Sequence, residues 1–101
     1  MALPFVPDWA EPVWHLFVVR HPQRDRFQNR LNEAGIGTLI HYPVPPHLSG
    51  AYANGKWSRG TFPLAESLAA SVLSMPIGPH LTAAQADVVI KETNRALADA
   101  Q

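Results

Sequence analysis

Ten prolines among 101 residues limit where this chain can form regular structure. Proline locks the backbone φ angle and has no amide hydrogen to donate, so it disrupts helix interiors and central strands. Helices and strands must therefore lie largely between these residues, with irregular connections around them. The prolines are Pro4, Pro7, Pro12, Pro22, Pro43, Pro45, Pro46, Pro63, Pro76 and Pro79.

Three segments rich in β-branched and aromatic residues predict strands. Residues 13–20 are largely apolar on both alternating faces, which is typical of a strand buried on both sides. Residues 36–42 form the second predicted strand, which ends at a proline. Residues 72–77 form the third, and Pro76 within it favours an edge position or a strand end.

Three further segments predict helices. The first follows Pro22, has apolar residues at spacings of four and three, and ends near Gly35. A shorter helix begins at Pro63. The third is the clearest, because Thr82 and Gln85 form a Thr-x-x-Gln capping box before an apolar stripe that we expect to face the core. The stripe consists of Ala86, Val89, Ile90, Thr93 and Leu97.

The order of these elements indicates the fold class. It runs strand, helix, strand, long loop, short helix, strand and helix. This order predicts an α+β domain in which a small, mostly antiparallel sheet carries helices packed on one face. We interpret residues 1–11 as a linker or truncated loop and residues 12–101 as the domain.

Charge and composition argue against several kinds of partner. Eight basic and eight acidic side chains give a formal charge of zero, without the concentrated positive charge that nucleic-acid binding requires. No apolar run reaches the roughly 18 residues of a membrane span. The absence of cysteine excludes disulfides and thiolate metal sites and fits the cytoplasm. We therefore expect a cytoplasmic protein with no nucleic-acid or membrane partner.

Residues 43–60 form the candidate functional region, because a loop this long in a small domain is usually functional or part of an interface. His41 and His47 lie six residues apart, but no acid lies between Glu33 and Glu66 to complete a metal site, so we expect none. Two alternatives stay open for these histidines: hydrogen bonding to the backbone, or contact with a ligand or partner chain. The aromatic residues in and beside this region are Tyr42, Tyr52 and Trp57.

The sequence lacks the pattern of a self-contained catalyst. No serine lies in a Gly-x-Ser-x-Gly turn, and there is no phosphate-binding loop or dinucleotide fingerprint. Glu66 opens the predicted short helix, where the helix dipole is sufficient to explain a carboxylate. We assign no catalytic residue to this chain.

Several short motifs nevertheless occur in a characteristic order. They are H-Y-P-V-P-P-H-L-S-G-A-Y from His41, F-P-L-A-E from Phe62 and S-M-P-I from Ser74. In this order and spacing, the chain resembles the C-terminal segment of the DegT/StrS family of aminotransferases, which use pyridoxal phosphate (PLP) to aminate nucleotide-linked keto-sugars. The resemblance covers about residues 12–97, and among subtypes it is greatest to enzymes that make 3-amino sugars on dTDP.

The resemblance implies the small C-terminal domain of a homodimeric fold type I aminotransferase. The large N-terminal domain of such an enzyme holds PLP and its Schiff-base lysine, and the small domain closes over the nucleotide-sugar substrate. The partners implied are that large domain or a second copy of the chain. The residues implied to lie near the substrate, with a positioning role, are His41, Tyr42, His47 and Tyr52.

The lysines differ from the family pattern. Lys56 and Lys91 are the only two, and neither lies in the family's catalytic-lysine motif. Because PLP chemistry needs that amine, we expect this chain alone to bind no cofactor and to be inactive, as a domain cut off from its large domain. The alternative is a stand-alone module that binds a small metabolite or a protein without catalysis.

Overall fold

The computed structural model describes residues 1–100. It has the predicted α+β composition, with a two-stranded antiparallel sheet and three α-helices. Within the described residues, no helix is long and apolar enough to cross a membrane. The elements are β1 (Phe17–Arg20), α1 (Arg24–Glu33), α2 (Pro63–Ser71), β2 (Val72–Met75) and α3 (Ala83–Asp99), with two 3₁₀ turns at Pro46–Leu48 and Gly50–Tyr52.

The sheet is smaller than the sequence predicts. Strand β1 pairs with β2 so that Phe17 lies opposite Met75. The predicted first strand begins four residues late, because Trp14 has a φ of 51°, which is incompatible with an extended backbone. The predicted third strand stops at Met75, before Pro76, which has no amide hydrogen for the ladder.

The predicted strand at residues 36–42 is reduced to one bridge, so this prediction is wrong. Leu39 exchanges backbone hydrogen bonds with Ser74, at 3.2 and 2.7 Å. The Ile36 N–H is used in the hydrogen bond that ends α1, and Gly37 has no side chain to pack against the sheet. The residues that remain are too few to form a continuous row of backbone hydrogen bonds with β2. On the opposite edge of the sheet, Ala2 forms a similar bridge with Arg20.

The core lies where α1 packs against β2 and α3. Its largest fully buried side chains are Val19, Phe27, Leu31 and Leu73. Burial of one such side chain contributes about 1.5–3 kcal/mol. The buried cluster comprises Val19, Phe27, Leu31, Ile36, Leu73, Met75, Ala96 and Ala100.

Both long helices end or begin as the sequence predicts. Gly35, with a φ of 79°, donates its N–H to Asn32, and the Ile36 N–H donates to the Leu31 carbonyl at 2.9 Å. These bonds form a Schellman motif that ends α1. At the start of α3, Gln85 N–H donates to Thr82 Oγ1 and Thr82 N–H donates to Gln85 Oε1, at 3.1 and 2.9 Å. The predicted capping box is therefore confirmed.

The predicted core position of Ile90 is wrong. Its side chain is 59% exposed, whereas Thr93 and Ala96 of the same helix are buried. The face of α3 that packs on the core follows spacings of four and three from Val89, and Ile90 lies about 100° away around the helix.

Candidate functional site

The segment from Pro43 to Phe62, called here the 43–62 loop, connects the Leu39 bridge to α2. Its first half is ordered by the two 3₁₀ turns, in which Leu48 N–H donates to Pro45 and Tyr52 N–H donates to Ser49. The 43–62 loop is thus organised by local hydrogen bonds, although it contains no strand or α-helix.

A carboxylate on α2 connects the two halves of the 43–62 loop. Glu66 Oε2 lies 3.2 Å from His47 Nε2, and the Gly60 N–H donates to both Glu66 oxygens, at 2.9 and 2.8 Å. The His47 side chain is 5% exposed and that of Glu66 is 16% exposed. We call His47, Gly60 and Glu66 the Glu66 anchor.

The hydrogen bonds of the anchor stabilise the charged carboxylate. Donation from the Gly60 amide is the main cause that lowers the pKa of Glu66 below its usual value of 4.5, and the hydrogen bond and charge of His47 lower it further. Partial burial of the carboxylate raises the pKa and opposes these effects without cancelling them. Glu66 is therefore an anion at neutral pH and serves as a hydrogen-bond acceptor.

Aromatic rings extend from the anchor along the 43–62 loop. The His47 ring meets Phe62 edge-on at 5.0 Å between centroids, and Phe62 lies 6.4 Å from Trp57. Trp57 in turn lies 5.6 Å from Tyr52. His47 and Tyr52 therefore belong to one connected aromatic cluster. Each pair with such geometry contributes about 0.5–1.5 kcal/mol beyond its buried area.

His41 and Tyr42 lie elsewhere, beside the sheet. His41 Nδ1 is 2.8 Å from Oγ of Ser74, a buried residue of β2. The His41 and Tyr42 rings meet edge-on at 5.4 Å, and Tyr42 is 73% exposed. The four residues that the sequence resemblance singles out therefore form two pairs: His41 with Tyr42, and His47 with Tyr52.

Sequence reasoning missed Glu66 and Gly60 as members of this site. In the sequence, the helix dipole alone accounts for a carboxylate at Glu66, since no acceptor-seeking partner lies near it along the chain. The available signal was the motif F-P-L-A-E, which follows shortly after Gly60. A φ of 94° at Gly60 is readily adopted by glycine alone, and it accompanies the amide that donates to Glu66.

A cleft of about 290 Å³ lies between the 43–62 loop and α2. Six of its eight lining residues are apolar, and the other two are a cation and an anion. Such a surface suits binding and orientation of a ligand. A catalytic role is less suited to its carboxylate, because Glu66 already accepts a hydrogen bond from the Gly60 amide and contacts His47. The lining residues are Pro43, Val44, Pro45, Leu48, Arg59, Glu66, Ala69 and Ala70.

The two lysines do not fit the role of a PLP-binding amine. Lys56 is exposed, and its ammonium lies 4.9 Å from the Trp57 ring centroid. Lys91 is exposed on α3. A nucleophilic lysine needs a neutral amine in a desolvated site. Among residues 1–100, no group of three histidine, cysteine or acidic side chains is arranged to hold a metal ion.

Comparisons with known proteins agree with the fold and the motifs. The chain is 56% identical over 90 residues to the erythromycin biosynthesis sensory transduction protein EryC1 of Saccharopolyspora erythraea, covering 89% of this chain and 25% of the relative. It is 52% identical to the dTDP-3-amino-3,4,6-trideoxy-alpha-D-glucose transaminase of Streptomyces venezuelae, covering 89% of this chain and 24% of the relative.

A solved structure matches this chain in both fold and sequence. The crystal structure of S. venezuelae DesV in complex with a ketimine intermediate matches with a TM-score of 0.87 and 50% sequence identity, covering 94% of this chain and 26% of DesV. The chain thus spans about a quarter of the length of the relatives it matches. The sequence model of the DegT/DnrJ/EryC1/StrS aminotransferase family matches residues 2–94, and this chain belongs to that family.

Proposed function

We propose that this chain is the small C-terminal domain of a PLP-dependent aminotransferase that transfers an amino group from an amino acid to a nucleotide-linked keto-sugar. The observation that carries the proposal is the 50% identity and TM-score of 0.87 over 94% of the chain to DesV, whose structure holds a ketimine intermediate. The name of the S. venezuelae transaminase supports a keto-sugar carried on dTDP and aminated at carbon 3.

In this proposal, the chain supplies the wall on the substrate side and the rest of the enzyme supplies the cofactor. PLP, when bound by the large domain, provides the electron sink for moving the amino group. The cleft and the aromatic cluster of the 43–62 loop support a role in binding and orienting the substrate. The residues proposed to lie near the substrate are His41, Tyr42, His47 and Tyr52.

The proposed partners are the large domain of the enzyme or a second copy of this chain in a homodimer. Support comes from large apolar side chains that the 100 described residues leave uncovered, which another part of the protein or a second copy could cover. Phe5, Trp9 and Val13 are 87, 88 and 95% exposed. We retain the cytoplasm as the proposed location, on the absence of cysteine from the sequence.

The proposal is tested by combining this chain with the portion of the S. venezuelae transaminase that it does not match. The two parts are co-expressed, purified together and supplied with PLP, an amino acid and a dTDP-linked 3-keto-sugar. We expect amino-sugar formation by the pair and none by either part alone, because each lacks groups that the other holds.

A second measurement on this chain alone separates the alternatives. After incubation with PLP and reduction with borohydride, we expect no stoichiometric adduct by intact mass. A clean one-to-one adduct on Lys56 or Lys91 would show that the chain builds its own cofactor site and would contradict the proposal. A monodisperse chain that binds a sugar nucleotide without the large part would favour the stand-alone binding module.

A further inference from the structure

We propose that Glu66 is a positioning residue that holds the 43–62 loop against α2 and so sets the shape of the cleft between them. Its effect on the substrate rests on the proposed function, whereas its effect on the 43–62 loop does not. Glu66 thus has a specific structural role in addition to its favourable interaction with the dipole of α2.

The geometry carries this inference because one carboxylate contacts the loop near both of its ends. His47 lies near the beginning of the 43–62 loop and Gly60 near its end, and both contact the same carboxylate. Residues 48–59 are thereby enclosed between two contacts to one rigid helix. A loop with both ends fixed loses much of the conformational freedom that a free loop would retain.

Glu66 is suited to this task by its charge and its position on α2. A carboxylate can accept hydrogen bonds from several donors. The Glu66 carboxylate accepts from the Gly60 amide through both oxygens and also contacts His47. Hydrogen bonds to an ionised acceptor are about twice as strong as neutral ones. The backbone N–H of Glu66 donates to the Phe62 carbonyl at 3.1 Å, which places the side chain in the first turn of α2.

Glu66 is connected both to the cleft and to the aromatic cluster of the 43–62 loop. Glu66 itself lines the cleft, and so does Arg59, which directly precedes Gly60 in the chain. The aromatic cluster provides the second connection, since His47 contacts Phe62 and Phe62 leads through Trp57 to Tyr52. Loss of the carboxylate is therefore expected to loosen both the charged lining and the aromatic residues proposed to face the substrate.

The first test uses amide hydrogen exchange on the 101-residue chain. In the wild type, we expect the Gly60 amide to exchange slowly although it lies in an irregular loop. In Glu66→Gln, we expect the peptides that cover residues 48–62 to exchange about tenfold faster, because a charge-assisted hydrogen bond is worth roughly that factor. Exchange in α1 and α3 should stay unchanged.

The matched control is Glu92→Gln on α3. Glu92 has a similarly buried side chain, 15% exposed, and pairs with Arg95 at 3.0 Å outside the 43–62 loop. The Glu92→Gln substitution should leave amide exchange of the peptides from the 43–62 loop unchanged. Unprotected Gly60 in the wild type, equal loop exchange in Glu66→Gln, or faster exchange spread over all elements would each overturn the positioning role. The wild-type measurement decides the question even if the variant does not fold.

The second test measures steady-state kinetics of the two-part enzyme described above. Glu66→Gln should raise KM for the dTDP-linked keto-sugar about tenfold, with the absorbance of bound PLP and kcat little changed. A fall in kcat with KM unchanged would contradict the inference. Absence of activity in the wild-type pair would count against the proposed function, and the exchange experiment would still decide the role of Glu66.

Discussion

Arg24 shows how a single charged side chain is kept inside this small domain. Its side chain is 8% exposed, and Nη1 donates to the carbonyls of Ala69 and Val72, both at 3.0 Å. Ala69 lies in the last turn of α2, where carbonyls have no partner within the helix. The guanidinium therefore joins α1 to the end of α2 and the start of β2 by satisfying their free acceptors.

Replacing Arg24 with methionine should lower the free energy of unfolding by about 2–3 kcal/mol, because the buried carbonyl of Ala69 and the partly buried carbonyl of Val72 lose a charged donor. Urea denaturation measures the change. The control is Arg26→Met on the exposed side of α1, which we expect to stay within about 0.5 kcal/mol of the wild type. Equal stability of the two variants would refute the proposed contribution of Arg24.

Glu66 should make the stability of the domain sensitive to acid. Its pKa is lower in the folded chain, chiefly through the Gly60 amide, so the stabilisation is fully present above the unfolded value of 4.5. It is lost as the pH falls from there through the folded pKa. The charged and titratable groups that face this carboxylate are His47, which contacts it, and Arg59, which lines the same cleft.

Urea denaturation between pH 7 and pH 3 checks this prediction. We expect the difference in unfolding free energy between the wild type and Glu66→Gln to shrink as the pH falls below 4.5. A difference that is constant over the whole range would mean that ionisation of Glu66 does not stabilise the fold.

At the scale of elements, α3 shows which part of an apolar pattern is used for packing. The helix presents Thr93 and Ala96 to the core, with Val89 and Leu97 packed at its margin. Ile90 belongs to the same apolar pattern but is mostly exposed. Two adjacent apolar residues thus have different environments, because the helix turns about 100° between them.

This difference predicts unequal effects of the same substitution. Val89→Asp should lower the unfolding free energy by about 2–4 kcal/mol, because it places a carboxylate at the margin of the core. Ile90→Asp should cost less than about 1 kcal/mol, since its side chain already contacts water. Thermal unfolding followed by circular dichroism compares the two. A larger loss of unfolding free energy for Ile90→Asp than for Val89→Asp would show that α3 packs on the core through the face that carries Ile90.

At the scale of the whole molecule, much apolar surface has no partner within the described residues. The irregular N-terminal segment leaves Phe5, Trp9 and Val13 exposed, while a bridge from Ala2 to Arg20 holds its beginning to the sheet. Surface of this kind is expected on a domain that packs against other parts of a larger protein. It agrees with a chain that spans about a quarter of its relatives.

We expect the isolated chain to self-associate as its concentration rises, which light scattering coupled to size-exclusion chromatography measures. The double variant Phe5→Ser and Trp9→Ser should shift the chain towards the monomer without a large change in melting temperature, because both side chains are already exposed. The exposed polar control Lys91→Ser should have no effect. Equal self-association of the wild type, the double variant and the control would show that the N-terminal segment does not form the self-association surface.

The sequence by itself determined the local features of this protein. The capping box of Thr82 and Gln85 and the glycine at the end of α1 depend on hydrogen bonds within a few residues, so their patterns can be read directly. The motifs that begin at His41, Phe62 and Ser74 were likewise sufficient to identify the family.

Only the tertiary structure decided which distant residues meet. Residues 36–42 have the composition of a strand, but only Leu39 pairs with β2. Ile36 instead caps the end of α1, which depends on where that helix stops. His47 and Glu66 are 19 residues apart, and neither carries a local sign of the other. Local patterns reflect short-range backbone energetics, whereas the anchor exists because chain packing brings a carboxylate, an imidazole and a glycine amide to one place.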